Sequence, residues 1–226
     1  MCSKSRWRLS RCLLFSLLLA SLLAGPGLAQ SPTPLANLDI ALWPEYDRPE
    51  VLVIFRGRIA DAATLPAQLS FTLPATVQAL HAVAYLDEAR GSLVDIPDYA
   101  FSPSGDGKVL SFRTPGRQFQ FEYYHTDVLN ISGDVRTLSF SFAPSADIAN
   151  LTLEVQQPTT AQAFTSNPPP STTQVGQNGL TYALYQIGAV SAGDSRSLQA
   201  SYTRNTDQLS AAEGVSLPST IEQTPV

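Results

Sequence analysis

Hydrophobic and polar residues alternate with period two along most of the chain after residue 50. Such alternation predicts β-strands that bury one face and expose the other, because successive side chains point to opposite sides of a strand. The run 51–55 is instead continuously apolar and rich in β-branched residues, which favours a more deeply buried strand. The alternating segments are 69–73, 110–113, 119–123, 138–142, 151–155, 180–184 and 198–202.

Short turn signals built from Gly with Asp, Ser or Pro separate these segments. Segment 76–90 is open to two interpretations, a helix or the first strand of a hairpin. We favour the hairpin, with strands at 81–85 and 92–96 around a turn at Gly91. The turn signals lie at 104–107, 114–116, 132–134 and 192–194.

Two segments lack periodicity. Residues 157–179 are rich in Pro and Thr and predict a long irregular crossing loop with extended backbone. Residues 205–226 are polar and predict a flexible tail. The Pro- and Ser-containing stretch 30–37 predicts a short irregular lead before the first strand.

A weak internal repeat organises the strands, since 69–77 resembles 138–146 and each is followed by a second strand. The spacing is that of a small immunoglobulin-like sandwich. We therefore expect an all-β protein with one or two tandem immunoglobulin-like antiparallel β-sandwiches after a cleaved signal peptide. The predicted domains are a signal peptide at 1–29, a linker at 30–36, β-sandwich module 1 at 37–131, β-sandwich module 2 at 132–206 and a flexible tail at 207–226.

The first 29 residues have the order of a secretory signal peptide: a basic start, an apolar run at 12–24 and small residues ending at Ala29. The alternative is a retained membrane anchor. However, a helix of this run rises only about 20 Å, whereas the hydrocarbon core is about 30 Å thick. We expect cleavage and export to the periplasm, the cell surface or the extracellular space, with no transmembrane helix retained.

Removal of this segment leaves 10 basic and 19 acidic residues, a net charge of −9, and no cysteine. A negative surface argues against nucleic acid as a partner, because phosphate binding requires a basic face. An exported chain that uses no disulfides fits a bacterial protein better than a eukaryotic one.

The densest acidic cluster comprises Asp39, Glu45, Asp47 and Glu50. Calcium takes about six to eight oxygen ligands, and carboxylates on a loop are able to supply several. The spacing matches no known calcium loop and includes no Gly for a sharp wrap. A solvated strand-connecting loop is therefore the favoured interpretation of this cluster. A calcium site is the alternative, and calcium is the one cofactor that the sequence suggests.

Trp43 is the one Trp after the signal segment, and Tyr46 follows it in a Pro-flanked stretch. Aromatic faces beside acidic groups are suited to holding sugar rings, which suggests a carbohydrate-binding module with Trp43 and Tyr46 in contact with the ligand. The alternative, which we favour, is that Trp43 packs in the core.

Chemistry that relies on imidazole has two candidates, His81 and His125. No Gly-x-Ser-x-Gly elbow occurs, and His125 at a strand end is expected to be solvated. A hydrolase built on a pair of facing carboxylates is a less favoured hypothesis, because no two acids are marked by the sequence. We predict that the protein is not an enzyme.

The signal, the segment 39–54 and the two sandwich-like halves that close on 192–204 resemble a group of uncharacterised bacterial exported envelope proteins with tandem immunoglobulin-like modules. The resemblance carries no catalytic motif. It implies a non-enzymatic binding, scaffold or spacer protein at the cell envelope, with an envelope protein or a glycan as partner.

Overall fold

The computed structural model describes residues 32–213, and nearly every element in this range is a β-strand. The prediction of an all-β protein is confirmed. The predicted signal peptide and most of the predicted tail lie outside the described residues. Within residues 32–213, no helix has the length and apolar composition needed to cross a lipid bilayer.

The largest sheet has eight strands, in the order β13-β14-β11-β1-β2-β8-β4-β5. Its strands come from both halves of the chain. They are β1 (Leu35–Pro44), β2 (Val51–Ile59), β4 (Ala82–Asp87), β5 (Ser92–Asp95), β8 (Gln118–His125), β11 (Ile148–Gln157), β13 (Thr172–Val175) and β14 (Thr181–Val190).

Two smaller sheets complete the fold. One has three strands in the order β3-β7-β6, and the other has four in the order β12-β15-β10-β9. The seven strands are β3 (Ala67–Pro74), β6 (Tyr99–Ser104), β7 (Gly107–Thr114), β9 (Leu129–Ser132), β10 (Val135–Phe142), β12 (Gln162–Asn167) and β15 (Arg196–Thr203).

One hydrophobic cluster draws on all three sheets, as expected of a β-sandwich. In β1, for example, Leu38, Ile40 and Leu42 point into this cluster, whereas Ala41 and Trp43 point to the opposite face. The alternation read from the sequence thus decides which side chains fill the core. The predicted hairpin around Gly91 is also present, as the antiparallel pair of β4 and β5.

The N-terminal strand β1 lies inside the large sheet rather than at its edge. It pairs antiparallel with β2 on one side and parallel with β11 on the other, from Leu35 opposite Ile148 to Leu42 opposite Val155. Strands from both sides of the predicted boundary between residues 131 and 132 therefore share one sheet and one core cluster.

Two hairpins use the same turn chemistry. Gly105 and Gly133 take φ angles of 57° and 60°, each as the first residue of a two-residue loop that ends in Asp. A positive φ followed by a negative φ is the pattern of a type II′ turn, which suits the twist of paired strands and favours Gly at its first position. The turns predicted at 104–107 and 132–134 are thus confirmed.

Three predictions of irregular backbone are wrong. The lead at 30–37 already contains the start of β1, and the predicted crossing loop contains β12 and β13. The described part of the predicted tail is held in place and ends in a 3-10 helix, Ser210–Glu213. Backbone hydrogen bonds explain the last two cases, since edge strands and the segment after β15 form them without an apolar face to signal their presence. The first case is an error of boundary, because β1 begins at Leu35.

Candidate functional site

Trp43 and Tyr46 lie in a second apolar cluster, on the face of the large sheet opposite the main core. Trp43 is 2% exposed and Tyr46 is 3% exposed. Their ring centroids are 5.0 Å apart, and the indole Nε1 of Trp43 donates a hydrogen bond of 2.9 Å to Glu154. Trp43 is therefore packed inside the protein, as in the favoured alternative to a sugar contact. Contact with a sugar would require this cluster to open.

Three of the four acidic residues proposed as calcium ligands, Asp39, Asp47 and Glu45, have separate side-chain partners. Asp39 lies in β1 and accepts a hydrogen bond from Thr152, and Asp47 accepts one of 2.7 Å from the Tyr124 hydroxyl. Glu45 is buried, so these residues are not simply a solvated loop. In the described range, no group of three or more His, Cys, Asp or Glu side chains is arranged to hold a metal ion, which leaves the calcium hypothesis without a site there.

Glu45 instead forms a buried ion cluster with two arginines. Its Oε1 lies 3.2 Å from Arg136 Nε, and its Oε2 lies 3.1 Å from Arg204 Nη1. The Tyr202 hydroxyl donates a 2.8 Å hydrogen bond to Oε2, and both burial and the Glu45 charge raise the pKa of this tyrosine. The second carboxylate on Arg136 belongs to the exposed Asp207, at 2.9 Å.

The ion cluster fastens the C-terminal strap, residues 204–211, to the loop that follows β1. Glu45 has a φ of 49°, and its backbone C=O accepts a hydrogen bond of 3.1 Å from Ser210 N–H. In the next pair along the chain, Ala211 N–H donates a hydrogen bond of 2.8 Å to Tyr46 C=O. These contacts are internal to the fold, so we assign the ion cluster a structural role.

His125 does not have the solvated position expected from its place at a strand end. It is 6% exposed, at the last residue of β8, and burial lowers its pKa. Its Nδ1 accepts a hydrogen bond of 3.4 Å from Asp127 N–H. The expectation is wrong because the strand end is covered by neighbouring structure rather than by water.

A cleft of about 630 Å³ opens between the two smaller sheets. Its floor includes Phe55 of β2 and Tyr123 of β8, both nearly fully buried. Burial raises the pKa of Tyr123, so its hydroxyl stays protonated. The remaining lining residues come from β3, the β6–β7 hairpin, the end of β10 and the β14–β15 turn: Thr72, Leu73, Pro74, Ser104, Asp106, Gly107, Phe140, Ser141, Phe142, Ala143, Pro144, Ser145 and Gly193.

Phe55 shows that the two smaller sheets meet at this cleft. Its ring centroid lies 6.1 Å from that of Phe71 in β3 and 5.5 Å from that of Phe142 in β10. A single ring of the large sheet thus packs against both walls. The rim is hydrophilic, since Thr72, Ser141 and Ser145 bring hydroxyls to it.

This cleft was not predicted from the sequence. Alternation correctly predicted the strands that form the walls, but it says nothing about which strands of opposing sheets lie side by side. β9, whose end opens the cleft, has four residues of which three are exposed, so no alternation signalled it.

No protein-family model matches the chain, and no curated protein matches it. Among solved structures, a putative protease of Parabacteroides distasonis is 10% identical with a TM-score of 0.42, over 77% of this chain and 41% of that one. An M1 zinc metallopeptidase of Deinococcus radiodurans is 14% identical with a TM-score of 0.45, over 78% of this chain and 44% of that one. This chain spans less than half the length of either protein, and similarity at this level transfers no activity.

Proposed function

We propose that the protein is a non-enzymatic binding unit of the bacterial cell envelope, exported by the signal segment at 1–29 and built on an immunoglobulin-like β-sandwich. The cleft between the smaller sheets is its binding site. The observation that carries the proposal is the composition of this cleft, which combines an aromatic floor with a rim of hydroxyl groups.

The dimensions of the cleft support this role. Ligand sites in proteins are concave, occupy about 300–1,000 Å³ and combine apolar walls with a few placed polar groups. At about 630 Å³ the cleft lies inside this range. The buried rings of Phe55, Tyr123, Phe140 and Phe142 lie beneath the cleft. Pro74 and Ala143 bring apolar surface to its walls, and the rim hydroxyls supply hydrogen bonds that orient a ligand.

The test is co-sedimentation of the purified protein with isolated bacterial envelopes and with a panel of insoluble polysaccharides. The variant Thr72→Arg places a long charged side chain on the cleft wall. The matched control is Ser70→Arg, two residues earlier on the same exposed face of β3 and outside the lining. Thermal unfolding of both variants establishes that the fold is intact.

We expect retention on envelopes that Thr72→Arg lowers at least tenfold and Ser70→Arg leaves unchanged. Equal retention of the two variants would show that binding does not use the cleft. Absence of retention on every surface, or turnover of a polysaccharide, would overturn the proposed function.

A further inference from the structure

We infer that the cleft receives an extended peptide segment of another protein, which pairs as an added strand with the free edge of β10. This inference rests on the proposed function and specifies its ligand. Addition of a strand to an open sheet edge is a general mode of peptide recognition, in which backbone hydrogen bonds give affinity and alternate side chains give specificity.

The edge of β10 is covered over only half its length. β9 pairs with residues from Val135 to Leu138 and ends there, with Leu129 opposite Leu138. One further backbone hydrogen bond, 2.8 Å from Ser139 N–H to Val128 C=O, marks the end of this pairing. Beyond it, Phe140, Ser141 and Phe142 of β10 line the cleft, and on this edge the pairing with β9 does not extend to them.

The direction of the backbone groups follows from the hairpin between β9 and β10. Ser132 and Val135 close its two-residue turn, so residues 135, 137, 139 and 141 direct their N–H and C=O groups away from β15. The hydrogen bond made by Ser139 agrees with this direction. Ser141, and Ala143 if the same alternation continues, therefore present backbone donors and acceptors to the cleft.

A second free edge forms the opposite wall. β3 pairs with β7 on one side only, and the β6–β7 hairpin fixes which residues of β3 face β7. By the same alternation, Gln68, Ser70 and Thr72 direct their backbone groups to the free side. The 2.8 Å hydrogen bond that Gln68 C=O accepts from the Thr33 hydroxyl confirms this direction, and Thr72 lines the cleft.

The floor and rim specify the side chains of the peptide. A strand presents every second side chain to the same face, so alternate residues of the peptide would point into the cleft, toward the buried rings of Phe55 and Tyr123, and the others would face water. Among the described lining residues Asp106 is the one with a charged side chain, and it is exposed. Charge complementarity therefore selects a peptide that alternates apolar and polar residues and carries Lys or Arg at the end near Asp106.

The probe is a fluorescein-labelled, end-blocked peptide of nine residues that alternates valine and threonine and ends in lysine, followed by anisotropy with the full protein. We expect saturable binding that a scrambled peptide of the same composition does not show. Methylation of the backbone nitrogens along one edge of the peptide removes about two hydrogen bonds and should weaken binding about tenfold.

Two substitutions at one position separate the backbone from the side chain. Ser141→Pro removes the N–H that faces the cleft, and proline is tolerated where a strand N–H faces an open edge. Ser141→Ala is the matched control, because it removes the hydroxyl and keeps the N–H. We expect about tenfold weaker binding for the first variant and a smaller loss for the second, which removes one of several rim hydroxyls. Equal losses for the two variants would place the effect in the hydroxyl and not in the backbone N–H. Asp106→Asn should reduce the salt dependence of binding.

The outcomes distinguish this inference from the proposed function. Envelope retention that depends on Thr72 without any binding of the peptide would overturn the added strand and leave the binding function intact. Equal binding of the methylated and unmodified peptides would also overturn it. Binding of a second copy of this chain in place of the peptide, detected by sedimentation, would replace the foreign segment with self-association and contradict the inference as stated.

Discussion

At the scale of single residues, the buried Glu45 and the partly buried Glu154 illustrate different ways of holding a carboxylate. Glu45 is matched by two arginines and the Tyr202 hydroxyl. Glu154 accepts a hydrogen bond from the Trp43 indole, and burial raises its pKa. The first carboxylate is compensated by full charges, whereas the second mainly has a neutral donor, so their substitution has opposite consequences.

Glu45→Gln should lower the free energy of unfolding by about 3–5 kcal/mol, because it removes the buried carboxylate that Arg136 and Arg204 share and leaves Arg136 with only the exposed Asp207. Urea unfolding followed by fluorescence measures the change. The control lies in the same cluster: Asp207 is 93% exposed, and an exposed pair contributes at most about 1 kcal/mol. A loss for Asp207→Asn as large as that for Glu45→Gln would contradict this account.

Glu154 makes stability depend on pH. Its pKa is raised above the ordinary value of 4.5, mainly by burial. The folded state therefore binds the proton more tightly than the unfolded state, and this stabilisation is complete below pH 4.5 and is lost as pH rises through the folded pKa. Glu154→Gln removes that loss. The free energy of unfolding at pH 7 relative to pH 4, measured by urea titration, should therefore be higher for the variant than for the unmodified protein. An unchanged difference between the two pH values would refute the assignment.

At the scale of elements, the turn at Gly133 sets the register of β9 and β10, and with it the point at which β9 ends. Gly133→Ala should destabilise the protein by about 1 kcal/mol, since an L residue is strained at a φ of 60°. Asp134→Ala in the same loop, where φ is not positive, should change stability by less than about 0.5 kcal/mol. Thermal unfolding of the pair is the measurement, and equal effects would exclude a type II′ turn.

Strands with one buried face were predictable from sequence, and strands without one were not. β3 alternates buried and exposed residues along most of its length, and its segment was predicted correctly. All four residues of β13 are exposed, including Val175 at 70%, so no alternation signals it. β13 and β12 are edge strands held by backbone pairing on one side, and backbone pairing leaves no trace in composition.

At the scale of the whole molecule, the pairing of strands determines which parts of the chain share a sheet and where the cleft lies. The predicted boundary between residues 131 and 132 rests on a repeat, and a repeat carries no information about the pairing of β1 with β11 across that boundary. The cleft is equally a product of pairing, because it lies where β9 stops short of the end of β10. For the same reason, residue type alone suggested Trp43 as a ligand contact, whereas Ser141 can be identified only from the strand pairing.

Fragments 32–131 and 132–226 should each fail to fold alone, since separation removes a pairing inside the large sheet and divides the main core. Circular dichroism and amide hydrogen exchange of the separate fragments check this, and mixing them should restore protection in β1 and β11. Protected amides in either isolated fragment at the level of the whole chain would show that the halves are independent modules.

The parallel pairing of β1 with β11 is able to form only late in synthesis of the chain, because the two strands are far apart in the sequence. Synthesis delivers Leu35 long before Ile148, and at about 5–20 residues per second the delay is on the order of ten seconds. Throughout that interval the middle of the large sheet lacks a strand, and pairings of such high sequence separation form slowly even afterwards. Any step that requires an extended chain, including the export proposed above, would therefore have to begin before this pairing forms.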